Sequence, residues 1–359
     1  MLRLRPVPGA ATLFAGLSAV TAAVAVTMAG PVPSAAGSAA PTPTATGIPA
    51  RVYAPYFETW TASTLPAMAR KSGSRFFTLA FLQTPKPGSC TLAWNGDAAQ
   101  TVRPGGRYVS QVRQLNAMGG QVIVSLGGES ADDNGTEIAD SCHSVPKIAA
   151  AYEKVITTYG VTRLDMDVEG KSLNNRAGLA RRSEAIAQLQ RWAARTGRAA
   201  QVDLTVGVVQ WGLPRSSRNV IASAVAHHAA ITVVNGMAFD YFTTNSHVNM
   251  GAAAVRELTA MHRQLAAFYP RASAQRRWRM EGITLMPGVD DNPRKTEVTS
   301  LRNARQVRAF TRAHRIPLVS IWAVQRDNGR CPGRGGANSC SGIRQATWAF
   351  SHLLERVGG

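Results

Sequence analysis

From Arg51 onward, short apolar runs alternate with longer stretches in which apolar residues recur at helical spacing. Eight runs read as strands: 52–57, 76–82, 121–126, 163–168, 201–209, 231–239, 282–286 and 318–322. Between them, the clearest helical periodicities cover 175–196, 252–268, 300–314 and 342–356. Eight strand–helix units over about 310 residues is the count for an α/β chain folded as a single (β/α)8 TIM barrel. A doubly wound open sheet is the competing topology, but no glycine-rich phosphate turn follows the first run. A barrel carries its chemistry at the carboxyl ends of its strands, so the residues closing each run are the ones to inspect.

Before Arg51 the pattern changes. Residues 1–29 begin with Arg3 and Arg5, continue as an acid-free apolar run over 10–28, and end on small residues near Ala29. This is the layout of a secretory signal peptide, with a cleavage zone over 29–40. An uncleaved anchor is the competing reading, because the run is nearly long enough to span a bilayer. Residues 30–49 are rich in Pro, Ala and Thr and read as a linker. The expected organisation is therefore signal, linker and one barrel over 50–359, giving a secreted, extracellular protein that has no membrane contact once the signal is removed.

Four cysteines suit that compartment and allow three pairings. Cys331 and Cys340 flank a loop too polar to pack by itself, so a local bridge is expected there, leaving Cys90 to pair with Cys142. No CxxC or nearby His pair supports the zinc alternative, and no metal is expected.

Composition narrows the class further. The chain has 359 residues, 45% of them hydrophobic and 17% charged, which excludes a disordered or fibrous protein. Lys and Arg total 40 against 21 Asp and Glu, a formal charge of +19. The basic residues are nearly all Arg and are spread along the chain rather than gathered on one helix or in one module. Such a field attracts polyanions diffusely and does not identify a nucleic-acid partner.

The sharpest chemical signal is Leu164-Asp165-Met166-Asp167-Val168-Glu169-Gly170. Alternation along a strand sends Leu164, Met166 and Val168 to the helix side and Asp165, Asp167 and Glu169 into the barrel. Ionised carboxylates crowded in a confined interior repel one another and lose hydration, which raises their pKa values and couples their titrations. A carboxylic acid still protonated near neutral pH can protonate a leaving-group oxygen. Glu169, last in the run, is the one that reaches the mouth. A calcium loop would need Gly and polar residues between the acids, where this chain has Leu, Met and Val. Ser125 lacks the Gly-x-Ser-x-Gly surroundings of a nucleophilic serine.

These residues resemble the glycoside hydrolase family 18 enzymes, in particular their secreted bacterial chitinase-like branch. The family motif Asp-Gly-x-Asp-x-Asp-x-Glu is matched at Asp165, Asp167 and Glu169, with Thr162 and Arg163 departing at its first two places. Ser125-Leu126-Gly127-Gly128 is similar to the Ser-x-Gly-Gly motif of the third strand. Tyr56-Phe57-Glu58-Thr59-Trp60, Leu79-Ala80-Phe81-Leu82, Met237-Ala238-Phe239-Asp240-Tyr241, Met286-Pro287-Gly288-Val289-Asp290-Asp291 and Ser320-Ile321-Trp322-Ala323 stand at the other strand ends in the family's order.

The resemblance implies substrate-assisted, retaining hydrolysis of β-1,4-linked N-acetylglucosamine polymers by a monomer that needs no cofactor. Glu169 would act as acid and then base, Asp167 would orient the acetamido group, and Asp165 would hold Asp167 through a shared proton. Trp322 would floor the distorted sugar, Asp240 would reach the acetamido group or a hydroxyl, and Phe57, Phe81, Met237 and Gly128 would wall the pocket. Phe239 stands where many members have Tyr, so Tyr241 is either the replacement hydroxyl donor or rim packing. Non-proline cis peptides are implied at Ala80-Phe81 and Trp322-Ala323. An endo-β-N-acetylglucosaminidase acting on N-linked glycans, or a non-catalytic sugar-binding barrel, would share the same motifs.

Overall fold

The structure is a computed structural model that describes residues 47–244, 248–292, 296–334 and 338–357. The signal peptide expected over 1–29, and all but the last three residues of the linker expected over 30–49, lie outside the described residues. In chain order the strands are β1 (Val52–Tyr53), β2 (Tyr56–Glu58), β3 (Phe76–Gln83), β4 (Ala93–Trp94), β5 (Gln121–Gly127) and β6 (Arg163–Val168). They continue as β7 (Gln201–Gly207), β8 (Val233–Met237), β9 (Glu281–Leu285), β10 (Gly288–Val289), β11 (Val298–Thr299) and β12 (Leu318–Ile321).

The main sheet runs β1-β12-β9-β8-β7-β6-β5-β3-β2, parallel throughout, with β4 added antiparallel to β3. β1 and β2 are the two halves of the first expected strand. The break falls at Ala54-Pro55, because proline has no N–H to give a ladder. Each half pairs in a different direction: Ala54 N–H donates to the Val319 carbonyl at 3.0 Å, and the Pro55 carbonyl accepts from Thr78 N–H at 2.9 Å. One bent strand thus joins the last strand to the second, and all eight expected barrel positions are filled.

Helices cover the outer face. Arg176–Arg195 starts where the Asn175 side chain accepts from Gly178 N–H, and it buries Leu179, Ile186 and Leu189 against the sheet. Each such side chain contributes roughly 1.5–3 kcal/mol by leaving water. Along β6 the alternation holds: Leu164, Met166 and Val168 join this outer core, while Asp165 and Asp167 are buried inside the ring. Arg163 departs from the family motif at the opposite end of β6 from Glu169. It is buried against Asp203 at 2.7 Å, across to β7.

Three expected elements are shorter than the apolar pattern suggests. The runs 201–209 and 231–239 leave the sheet at Gly207 and Met237, and Val208 and Phe239, just beyond those ends, line a cleft instead. The helix expected over 342–356 is only Ala349–Leu354, followed by a 3-10 turn at Glu355–Val357. Its start is set by Asp327, whose carboxylate accepts from Phe350 N–H at 3.1 Å and Ser351 N–H at 2.7 Å. No helix among the described residues is long and apolar enough to cross a membrane.

Disulfides join Cys90 to Cys142 and Cys331 to Cys340. The first ties the loop beyond β3 to the end of the helix Ile138–Ser141 and closes 52 residues. Chain entropy assigns such a loop about 4 kcal/mol. Cys90→Ser is expected to lower the thermal midpoint by roughly 8–16 °C at 2–4 °C per kcal/mol. An unchanged midpoint in a scanning calorimeter would show that the bridge contributes nothing.

Candidate active site

The carboxyl ends of the strands surround a cleft of about 730 Å³. Asp167, Glu169, Trp322, Phe81, Met237 and Asp240 all line it, as does Gly128. Asp165 lies beneath, and Phe57 and Tyr241 lie elsewhere.

Asp165 is fully engaged. Its Oδ2 accepts from Tyr56 Oη at 2.8 Å and Ser125 Oγ at 2.7 Å, and its Oδ1 accepts from Thr205 Oγ1 at 2.7 Å. These bonds work against burial, which still raises its pKa overall. Asn235 extends the girdle by donating to Thr205 at 3.0 Å and Thr284 at 2.8 Å. The Asp165 oxygens are taken by hydroxyls, and the two carboxyls act on each other through space.

Asp167 is the opposite case. It is buried, and its Oδ1 has no hydrogen-bond partner. Burial pushes its pKa well up, reinforced by the carboxyls of Glu169, Asp165 and Asp132. Its unmet acceptor lies in the wall of the cleft, where a donor on a ligand would satisfy it.

Glu169 follows β6 directly and remains partly exposed at the mouth. Burial pushes its carboxyl up to about 7. The charge of Glu129 adds to this, the backbone N–H of Glu129 opposes it, and Asp240 and Asp291 add further. A group poised there is protonated at mildly acidic pH and gives up its proton readily. Its own backbone N–H donates to Oδ2 of Asp132, a residue the sequence reading passed over.

Aromatic rings form the opposite wall. Trp322 lies parallel to Phe81 at 5.5 Å and 20°, and Tyr56 meets it edge-on at 5.4 Å. The Ala80-Phe81 and Trp322-Ala323 peptides are cis, as the resemblance implied. Phe57 turns outward and packs on Phe77 and Tyr108, so Tyr56 is the cleft residue of that strand. A strand broken at Pro55 hides its phase from a reading by alternation, and the assignment to Phe57 fell one residue off. The glycine pair also has its reason here. A Cβ on Gly127 would lie 2.1 Å from the Asp167 carbonyl oxygen, and one on Gly128 would lie 2.7 Å from the Phe81 ring.

Asp240 has φ 51° and donates its N–H to Asp290 Oδ2 at 3.0 Å, with its carboxyl pushed up to about 7 by burial and then by Asp291. Tyr241 points away from the cleft. Its hydroxyl donates to Glu257 Oε2 at 3.2 Å on the helix Met250–Phe268, and its N–H donates to Glu297. It therefore does not replace the hydroxyl missing at Phe239. Among the described residues, the cleft hydroxyls are those of Ser130, Tyr56, Thr205 and Thr284, the last three on separate strands.

No family model matches the chain. Among curated proteins, it is 29% identical over 290 residues to "Probable bifunctional chitinase/lysozyme" of Escherichia coli (strain K12), covering 78% of this chain and 31% of that protein. It is also 29% identical over 290 residues to "Endochitinase 11" of Metarhizium anisopliae, covering 78% of this chain and 53% of that one. The chain thus spans about a third to a half of the length of these relatives. Among solved structures, the catalytic domain of a hyperthermophilic chitinase from Pyrococcus furiosus superposes with a TM-score of 0.74 at 28% identity, over 88% of this chain and 97% of that domain. The chain is chitinase-like in sequence and in fold. In this chitinase-like cleft, the described lining residues include six carboxylates (Glu129, Asp133, Asp167, Glu169, Asp240 and Asp291) and no Lys, Arg or His. The site is locally acidic in a chain of charge +19.

Proposed function

We propose that this chain is a secreted, monomeric enzyme of one barrel domain, over 50–359, that hydrolyses β-1,4-linked N-acetylglucosamine polymers with retention. The observation that carries the reading is the buried, unpartnered Oδ1 of Asp167 beside a Glu169 poised near 7, facing the Trp322 ring across the cleft. The chitinases to which the chain is similar support the substrate class, and one related Pyrococcus furiosus structure is described as complexed with chito-oligosaccharides.

In this reading Glu169 gives its proton to the glycosidic oxygen as the bond to the anomeric carbon breaks. The acetamido oxygen of the same sugar then bonds that carbon, and Asp167 accepts from the acetamido N–H and offsets the positive charge. Water next attacks the anomeric carbon, displacing the acetamido oxygen, and gives its proton to Glu169, so that two inversions yield retention. Asp165, held by three hydroxyls, keeps a negative potential beneath Asp167.

The test is proton NMR of the products formed by the full chain from N-acetylglucosamine pentamer or hexamer. Fresh product in the β configuration is expected, and α product would overturn the retaining route. Cleavage of a high-mannose glycopeptide without any cleavage of the oligomers would move the substrate to N-linked glycans. Trp322→Ala is expected to lower kcat/KM on the pentamer by roughly 10- to 100-fold, the value of one large ring face buried against a sugar. A change under twofold would remove Trp322 as the floor.

A further inference from the structure

Asp132 belongs to none of the strand-end motifs. It sits on the helix Glu129–Asn134 directly after β5, with 1% of its surface exposed. The β5–β6 ladder ends where Gly127 faces Asp167, and Gly128 N–H donates to the Asp167 carbonyl at 3.2 Å. Glu169 lies beyond that last rung. A backbone N–H leaving a sheet in a buried place needs another acceptor. Here the acceptor is Oδ2 of Asp132. We propose that Asp132 is a positioning residue for the catalytic acid, a buried carboxyl that fixes the Glu169 backbone at the point where the strand ends.

The anchor is itself anchored. Behind Asp132, Glu137 and Arg182 form a buried ion pair at 2.8 Å, and Glu137 also caps the helix Ile138–Ser141 by accepting from Ala139 N–H at 2.7 Å. Asp140, on that second helix, holds the turn after Glu169 by accepting from Ser172 Oγ and from Asn175 Nδ2 at 2.8 Å. Cys142 then bonds the segment to Cys90. Glu169 is thus gripped on one side by Asp132, and its exit turn is gripped by Asp140, both from the chain that follows β5. A misplacement of about 1 Å in a catalytic group costs on the order of 100-fold in rate. The catalytic consequence rests on the proposed function, whereas the contact does not.

The test compares the full chain with Asp132→Ala, which removes the acceptor, and Asp132→Asn, which keeps an oxygen in its place. Hydrogen exchange is followed in the peptide 164–171, and kcat and KM are measured on N-acetylglucosamine pentamer. Asp132→Ala is expected to release one protected amide in that peptide at least 10-fold faster and to lower kcat by about 10- to 100-fold, with KM within twofold. Asp132→Asn is expected to keep the slow amide and to hold kcat within threefold. Unchanged exchange and unchanged kcat in Asp132→Ala would overturn the proposal. So would equal losses of kcat in both variants with the amide still protected. If the unaltered chain cleaves no chito-oligosaccharide, the proposed function fails, and the exchange comparison still decides the role of Asp132.

Discussion

Glu169→Gln is expected to reduce turnover of N-acetylglucosamine pentamer by about 100- to 10,000-fold, the range for loss of a general acid. KM should stay within a few-fold, because the amide keeps the shape of the acid and the aromatic wall is untouched. The sign of the pH dependence follows from the same residue. Glu169 must be protonated to act first, and its carboxyl is pushed up to about 7 by burial and Glu129. kcat/KM should therefore fall as pH rises above about 7. A Gln variant with undiminished turnover would remove Glu169 from the reaction. A rate that climbs steadily from pH 6 to pH 9 would contradict its role as acid.

The second large effect is on stability. Burial pushes Glu58 and Glu257 up to about 8, with Arg326 opposing at Glu58 and the Tyr241 hydroxyl opposing at Glu257. Burial pushes Asp132 and Asp290 up to about 9, reinforced by Glu137 at Asp132 and opposed by the Asp240 N–H at Asp290. In each case the folded chain holds a proton that the unfolded chain releases near pH 4, so the folded state binds more protons between those values. Stability is then complete below about pH 4 and is lost as pH rises toward 8 or 9. Each such group costs about 1.4 kcal/mol per pH unit, so one acting fully removes about 4 kcal/mol between pH 5 and pH 8. His262 works in the other direction: burial, followed by Arg277 and His314, lowers its pKa, which favours the fold above about pH 6.5. The carboxyls outnumber it. The thermal midpoint should drop by on the order of 10 °C from pH 5 to pH 8. Glu257→Gln, a substitution outside the cleft, should flatten part of that slope. Melting curves with equal or higher midpoints at pH 8 would refute this account.

Much of the site was legible before folding because its chemistry is local. Asp165 and Asp167 share one strand and Glu169 follows it directly, so the alternation sends all three inward whatever surrounds them. The same holds for Trp322, Phe81 and Met237, each near the end of its own apolar run, and for the glycine pair after β5. The reading failed where the phase or the partner lies elsewhere in the chain. Phe57 was taken for Tyr56 because Pro55 divides the strand. Tyr241 was offered as a hydroxyl donor although it turns toward Glu257, 16 residues on. The ends of β7 and β8 were set too late because apolar residues lining a cleft look like strand.

The sequence by itself determined the eightfold alternation, the stacked acids and their order along β6, because these depend on periods of two and 3.6 residues. The tertiary structure decided which groups those acids meet. Three hydroxyls from three different strands surround Asp165, none reaches Asp167 Oδ1, and Asp132 holds the backbone of Glu169 from 37 residues away. Closing a barrel brings distant strands within hydrogen-bond reach, and no periodicity along one chain segment encodes which side chain will be found across the ring.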